Sequence, residues 1–369
     1  MVVTAHSSEY LLRLITTDHS GIVIRNFLSC IQPFGPLGVE LFFVLSGFLI
    51  GNILIRTFMD TPFSFTGVRN FWIRRWFRTL PLYSLILTVN IILYAVILHE
   101  HPAAYKFSYY FFLQNLWYPH PLFFFGEAWS LSVEEWFYLT LPLVMYVSAL
   151  IIKPINKRKF LFRVFISYLA VFLVARFVNA FHPINGPAQD TGIRKVVVFR
   201  LDAVMYGVLM AYFNNYSREI LNRVKVYLLL TGLTGTLFIY CLLRNTSINI
   251  TDSSNPVICF ASDAFLYLFI PLFFSLCLPF ANSIKTLHNK YFSRFFNHIS
   301  KISYSMYLVH YSLIFILFFY KMEKVSRPAT IAFYILYWII VITLSSLLYK
   351  YFEHPVMKLR DRFTGKEQL

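Results

Sequence analysis

The chain has 369 residues, 58% of them hydrophobic, 20% aromatic and 14% charged, with a formal net charge of +16. Soluble domains carry about 25% charged residues, so this composition excludes a soluble globular protein and marks an integral membrane protein. The apolar runs are about 18–25 residues long and lack barrel-type alternation, which makes them helices. The excess Lys and Arg falls in short loops between these runs, where it sets topology and meets anionic lipid headgroups, so no nucleic-acid partner is expected.

Taken in order, the opening stretch MVVTAHSSEYLL has neither a basic leader nor a cleavage site, and it does not read as a signal peptide. It is also too short to span a bilayer, which needs about 20 residues. We read it as the second half of a first helix whose first half precedes Met1. A polar loop with Gly35–Pro36 leads to a clear span, Gly38–Ile55. Its small residues Ser46, Gly47 and Gly51 admit either a close helix neighbour or the backbone approach of a ligand. Glu40, at the outer end of that span, is either an interfacial charge or a site acid.

Residues 56–79 form a basic connector ending NFWIRRWFRTLP. If it is helical, Arg75 and Arg78 project together and can clamp a phosphate, while an aromatic and basic membrane anchor is the simpler account. The next span is Leu80–Leu98, followed by a His- and aromatic-rich loop over 99–128. Then comes WSLSVEEWFY, Trp129–Tyr138, with two adjacent carboxylates at the head of an apolar run. A carboxylate near hydrocarbon is costly, so such residues pair or do chemistry. Helical spacing puts Ser130, Glu134 and Tyr138 on one face. Glu135 falls with Leu131 and Leu139 on a stripe expected to meet lipid or packing, its acid reaching water at the boundary.

Further spans are expected over 129–152, 161–181, 197–213, 226–243, 257–281, 302–320 and 331–349, giving about ten in all with the truncated first one. Loops on the side of Arg74–Arg78 hold the larger share of Lys and Arg, which places that side and the C-terminus in the cytoplasm. Arg200 and Asp202 are two apart and point to different helix faces, so each needs a partner elsewhere. His310 clusters with Tyr307 and Tyr311 by i+3 and i+4 and is either a hydrogen-bonded core residue or a site histidine. Cys30, Cys241, Cys259 and Cys277 show no metal or redox spacing, and no metal is expected.

The blocks GVELFFVLSGFLI, RRWFRTLPLY, WSLSVEEWFYL, SYSMYLVHYSL and YKYFEHP, in this order, resemble the acyltransferase 3 family of integral-membrane O-acyltransferases, which modify bacterial surface and secreted glycans. The resemblance implies an all-α polytopic bundle over residues 1–357, followed by a short basic cytoplasmic tail, 358–369. It implies residence in the bacterial cytoplasmic (inner) membrane and transfer of an acyl group, usually acetyl, from cytoplasmic acyl-CoA to a hydroxyl of a glycan or lipid-linked sugar. His6 matches the family histidine that follows an arginine eleven residues earlier, and that arginine falls upstream of Met1. On this likeness His6 and Glu134 are the catalytic candidates, and Arg75 and Arg78 hold the acyl-CoA phosphates. Glu40, Ser46, Ser130, Tyr138, Asp202 and His310 are candidates for contacting substrate. Acyl-CoA enters as a co-substrate, with no permanently bound cofactor. Two other classes compete: a transporter, against which stands the lack of an inverted repeat, and a catalytically inactive acyltransferase-like membrane protein.

Overall fold

The computed structural model describes residues 1–14, 26–60, 64–99, 106–118, 124–181, 190–244, 260–284, 289–314, 317 and 327–364. Among these the chain is a helical bundle without strands. Its main helices are α1 (Val2–Leu14), α2 (Phe34–Asp60), α3 (Phe65–Ile97), α4 (Ala128–Ile152), α5 (Lys157–Phe181) and α6 (Leu201–Tyr216). They continue with α7 (Arg218–Arg244), α8 (Tyr267–Ser283), α9 (Lys290–Val309), α10 (Arg327–Leu348) and α11 (His354–Thr364). Seven helices among the described residues are long and apolar enough to cross a membrane. The expected count of about ten is therefore not reached by length and apolarity, and the three that fall short are α1, α6 and α9.

Each shortfall has a physical reason. α1 has 13 residues. α6 has 16 residues, and Leu201 through Tyr212 are all buried, so it is a post enclosed by other helices rather than a lipid-facing span. α9 begins at Lys290, twelve residues before the expected span at 302, because Asn289 caps it through Tyr291 N and Phe292 N. Its first half carries Lys290 and Arg294 beside the exposed rings of Tyr291, Phe292, Phe295 and Phe296, an amphipathic pattern suited to an interface. The segment 318–326 lies outside the described residues.

The basic connector is also helical. Ser64 caps α3 by accepting from Gly67 N at 3.3 Å, and the helix runs unbroken from Phe65 through Pro81. Arg75 and Arg78 consequently lie on a helical extension that runs without a break into the apolar stretch starting at Leu80. The tail expected from 358 is helical as far as Thr364.

Close helix crossings frame the bundle. α2 and α6 meet at Gly47 and Gly207, where any Cβ on Gly207 would fall on Val44 O, with Phe48 N only 2.6 Å away. A Cβ on Gly51 would lie 2.9 Å from Val208 Cα, so the small residues of α2 serve close packing against α6. α1 packs across the start of α2, where a Cβ on Gly38 would lie 2.9 Å from Met1 Cβ. Lys157 Nζ donates to Met59 O at 3.1 Å and Arg158 Nη2 to Tyr216 O at 3.3 Å, gathering the ends of α2 and α6 and the start of α5 at one basic face. Cys30, Cys241 and Cys277 are free thiols, and Cys259 lies outside the described residues.

Two hydrophobic cores result. One joins α2, α5, α6 and α8; the other joins α3, α9 and α10. α4 is the wall between them, giving Trp129, Val133 and Phe137 to the first and Ala128 and Leu131 to the second. Its first eight residues, Ala128 through Glu135, are all buried.

Candidate active site

The N-terminal half of α4 carries the polar face on which the candidate groups converge. The i, i+4, i+8 spacing holds, but the three residues serve two different neighbours. Tyr138 Oη donates to Glu134 Oε1 at 3.0 Å, and Ser46 Oγ of α2 lies 2.7 Å from the same phenol oxygen. A carboxylate only accepts, so the Tyr138 proton points to Glu134 and Ser46 supplies the second bond. Ser130 instead meets α9, its Oγ 2.5 Å from Tyr307 Oη, while that phenol donates to Glu127 O at 3.0 Å.

Beyond Tyr307 lies the histidine pair. His6 Nδ1 of α1 is 2.8 Å from His310 Nε2, at the end of α9. His310 Nδ1 is 2.7 Å from Tyr307 O. The Tyr311 ring stands 4.6 Å from that of His6, and a Cβ on Gly126 would lie 3.2 Å from Tyr311 Cε1. A larger residue at position 126 would therefore press on the Tyr311 ring. The polar face of α4 from Ser130 to Tyr138 covers about 12 Å along the helix axis. The site is thus a line of hydrogen-bonding groups from the histidines to Glu134.

At the Glu134 end the cations of α3 come in. Trp72 Nε1 donates to Tyr138 O at 3.0 Å, docking α3 on α4. The charges of Arg78 and Arg75 both act on Glu134, and that of Arg78 also acts on Glu353. Arg78 is exposed and Arg75 half-buried with its guanidinium over the Phe71 ring. Arg78 thus sits just before the apolar stretch of α3, where an exposed guanidinium can reach water.

Glu135 departs from its expected place. It is buried, beside Thr79 of α3, and its Oε2 has no hydrogen-bond partner. The stripe it shares with Leu131 packs on the second core, so this acid does not reach solvent. Helix geometry assigned it the right face, but composition alone could not tell a packed face from a lipid face.

Glu40 and Asp202 are not brought to the histidines. Arg200 bonds Glu40, and Arg176 Nη1 bonds Asp202 Oδ2 at 2.5 Å, with every one of the four side chains buried. Both arginines also donate to Tyr267 O at 3.2 Å, so α2, α5, α6 and α8 are tied at one node. Arg194 lies over the Trp129 ring at 4.9 Å, and its charge reaches both His6 and Glu40.

Four participants escaped sequence reasoning. Arg176 was signalled as a lone cation within the apolar run of α5, and Glu127 as an acid before the apolar head of α4. Glu353 sits inside YKYFEHP and accepts from Ser305 Oγ at 2.8 Å. Arg194 carried no signal, because only the fold brings its loop to Trp129. Among the described residues no group of three or more His, Cys, Asp or Glu is arranged to hold a metal ion.

A family model described as an acyltransferase domain matches residues 1–350. The chain is 25% identical over 359 residues to the O-acetyltransferase OatA of Staphylococcus aureus strain NCTC 8325 / PS 47, covering 92% of this chain and 55% of that protein. It is 27% identical over 360 residues to a second protein of Staphylococcus aureus, strain COL, provisionally named an O-acetyltransferase, with the same coverage of 92% and 55%. The chain therefore spans about half the length of these relatives. No solved structure matches it.

Proposed function

Since the chain belongs to the acyltransferase 3 family, we propose that it is a membrane O-acyltransferase carrying an acyl group, acetyl by likeness to the named relatives, from acyl-CoA to a hydroxyl of a cell-surface or secreted glycan or glycolipid. The protein sits in the bacterial cytoplasmic membrane with its C-terminus and basic face in the cytoplasm, following the excess of Lys and Arg there.

One observation carries the reading: His6 and His310, 304 residues apart, share a 2.8 Å contact at one end of the polar face of α4. A sugar hydroxyl is a poor nucleophile until a base takes its proton, and neutral imidazole titrates in the useful range. His6 takes the hydroxyl proton as the oxygen attacks the thioester carbonyl. The C–S bond then breaks, and the coenzyme leaves as thiol once the proton is passed to its sulfur. Glu134, held by Tyr138 and Ser46, lies between the histidines and the arginines and fixes an acceptor hydroxyl. Arg75 and Arg78 take the phosphates of the donor, which a guanidinium binds with two parallel hydrogen bonds.

The test is transfer of label from radiolabelled acetyl-CoA to the glycan fraction of membrane vesicles holding the intact chain. Incorporation that needs His6 supports the enzyme reading. Absence of transfer with every acyl-CoA and glycan fraction tried, at normal protein levels, would favour an inactive acyltransferase-like protein.

A further inference from the structure

The two histidines differ in what surrounds them, and the difference determines where each proton sits. We infer that His310 is a positioning residue that locks His6 in its Nδ1–H tautomer, leaving Nε2 of His6 as the basic atom. The inference takes its chemical meaning from the acyl-transfer reading, but its geometry stands on four contacts.

The first contact is between His310 Nδ1 and Tyr307 O, at 2.7 Å. A carbonyl oxygen can only accept, so His310 Nδ1 carries the hydrogen. A neutral imidazole has one N–H, which leaves His310 Nε2 with a bare lone pair. The second contact sets this lone pair 2.8 Å from His6 Nδ1. His6 Nδ1 must then be the donor, and its own single hydrogen is used. His6 Nε2, the other edge of the ring, holds the lone pair.

Ring orientation agrees. The centroids are 5.0 Å apart and the planes differ by 7°. Two parallel rings whose nitrogens come within 2.8 Å of each other cannot be stacked face to face, so they lie edge to edge in a common plane. That is where an imidazole N–H and an imidazole lone pair both point.

His310 has little freedom to turn. It is fully buried, its backbone N–H bonds Met306 O at 3.1 Å, and its carbonyl accepts from Tyr337 Oη at 3.1 Å. The device is a relay of orientation rather than of protons: Tyr307 carbonyl, then His310, then His6. When His6 Nε2 takes the acceptor proton, His6 becomes an imidazolium still donating through Nδ1–H. Its bond to His310 is then charge-assisted and stronger, so the pair stabilises the product of the proton step more than its reactant. The orienting role that a carboxylate can play beside a basic histidine is filled here by a neutral ring.

The proton positions are directly measurable. The intact chain, with its histidine rings labelled with 15N and 13C, is purified into lipid nanodiscs and studied by NMR at neutral pH. His6 and His310 signals are assigned by their loss in His6→Gln and His310→Gln. Both residues are expected as Nδ1–H tautomers, with a nitrogen–nitrogen coupling between His6 Nδ1 and His310 Nε2. In His310→Leu the His6 ring should move towards the Nε2–H form, and turnover should fall at least about tenfold with the donor KM unchanged. His310→Gln offers an amide oxygen near the lost Nε2 and should restore part of both. His6 found as Nε2–H in the wild-type chain overturns the inference, and that spectrum decides it even if the leucine variant does not fold. Unchanged turnover in His6→Ala would instead remove the acyl-transfer role of His6, a result the tautomer spectrum cannot mimic.

Discussion

Ser46, Tyr138 and Glu134 form a chain of two hydrogen bonds, 2.7 and 3.0 Å long, between two helices. Tyr138→Phe deletes the shared hydroxyl and leaves both partners buried, so a loss of about 1–3 kcal/mol in unfolding stability is expected, read by thermal unfolding in detergent. For His6→Ala, acyl transfer in vesicles should fall by about 10²–10⁴ at unchanged membrane abundance. The adjacent acids give a sharper comparison. Glu134→Gln should remove most transfer, because its carboxylate lies between the arginines and the histidines. Glu135→Gln should keep most of it, since the amide preserves an acceptor beside Thr79. A greater loss from Glu135→Gln at matched abundance would move the role to the α3 side of α4.

At the scale of elements, the two features that shape the site are a continuous α3 and the crossing of α2 with α6. Arg78→Ala should raise the acyl-CoA requirement more than it alters acceptor use, which initial-rate kinetics with each substrate varied in turn would separate. Equal weakening of both would reduce Arg78 to a membrane anchor. Gly207→Ala should cost about 1–3 kcal/mol by overpacking, seen as a lower unfolding temperature, because its Cβ falls on backbone that cannot turn aside. Most helices were legible, since apolar runs of spanning length have few alternatives. The i, i+4 face of Ser130, Glu134 and Tyr138 was legible too. The early start of α9 was not, because its first half is amphipathic rather than apolar. Nor was the meeting of His6 with His310, since spacing within a helix carries no information about a helix 304 residues away.

Across the whole molecule, two buried ion pairs join four helices at Tyr267 O. A lone charge left there is worse than none. Arg176→Met should therefore cost about 3–5 kcal/mol, and Arg176→Met with Asp202→Leu should regain most of it, as a double-mutant cycle of thermal stability would show. Strict additivity of the two losses would mean that the pair is not coupled. The node lies off the line from the histidines to Glu134, so the double variant should keep transfer per folded molecule.

The distance of 304 residues between the paired histidines also has a meaning in time. A ribosome adds about 5–20 residues each second, so His6 is made about 15–60 s before His310. For that interval the nascent chain holds the histidine proposed as its base with no neighbour to orient it, while α2, α3 and α4 are already made. A chain arrested before α9 would be inserted, hold Glu134 and both arginines, and be silent. On the proposed acyl-transfer reading, synthesis itself delays the chemistry until the bundle is nearly whole, and a chain arrested before α9 is expected to show no transfer from acyl-CoA.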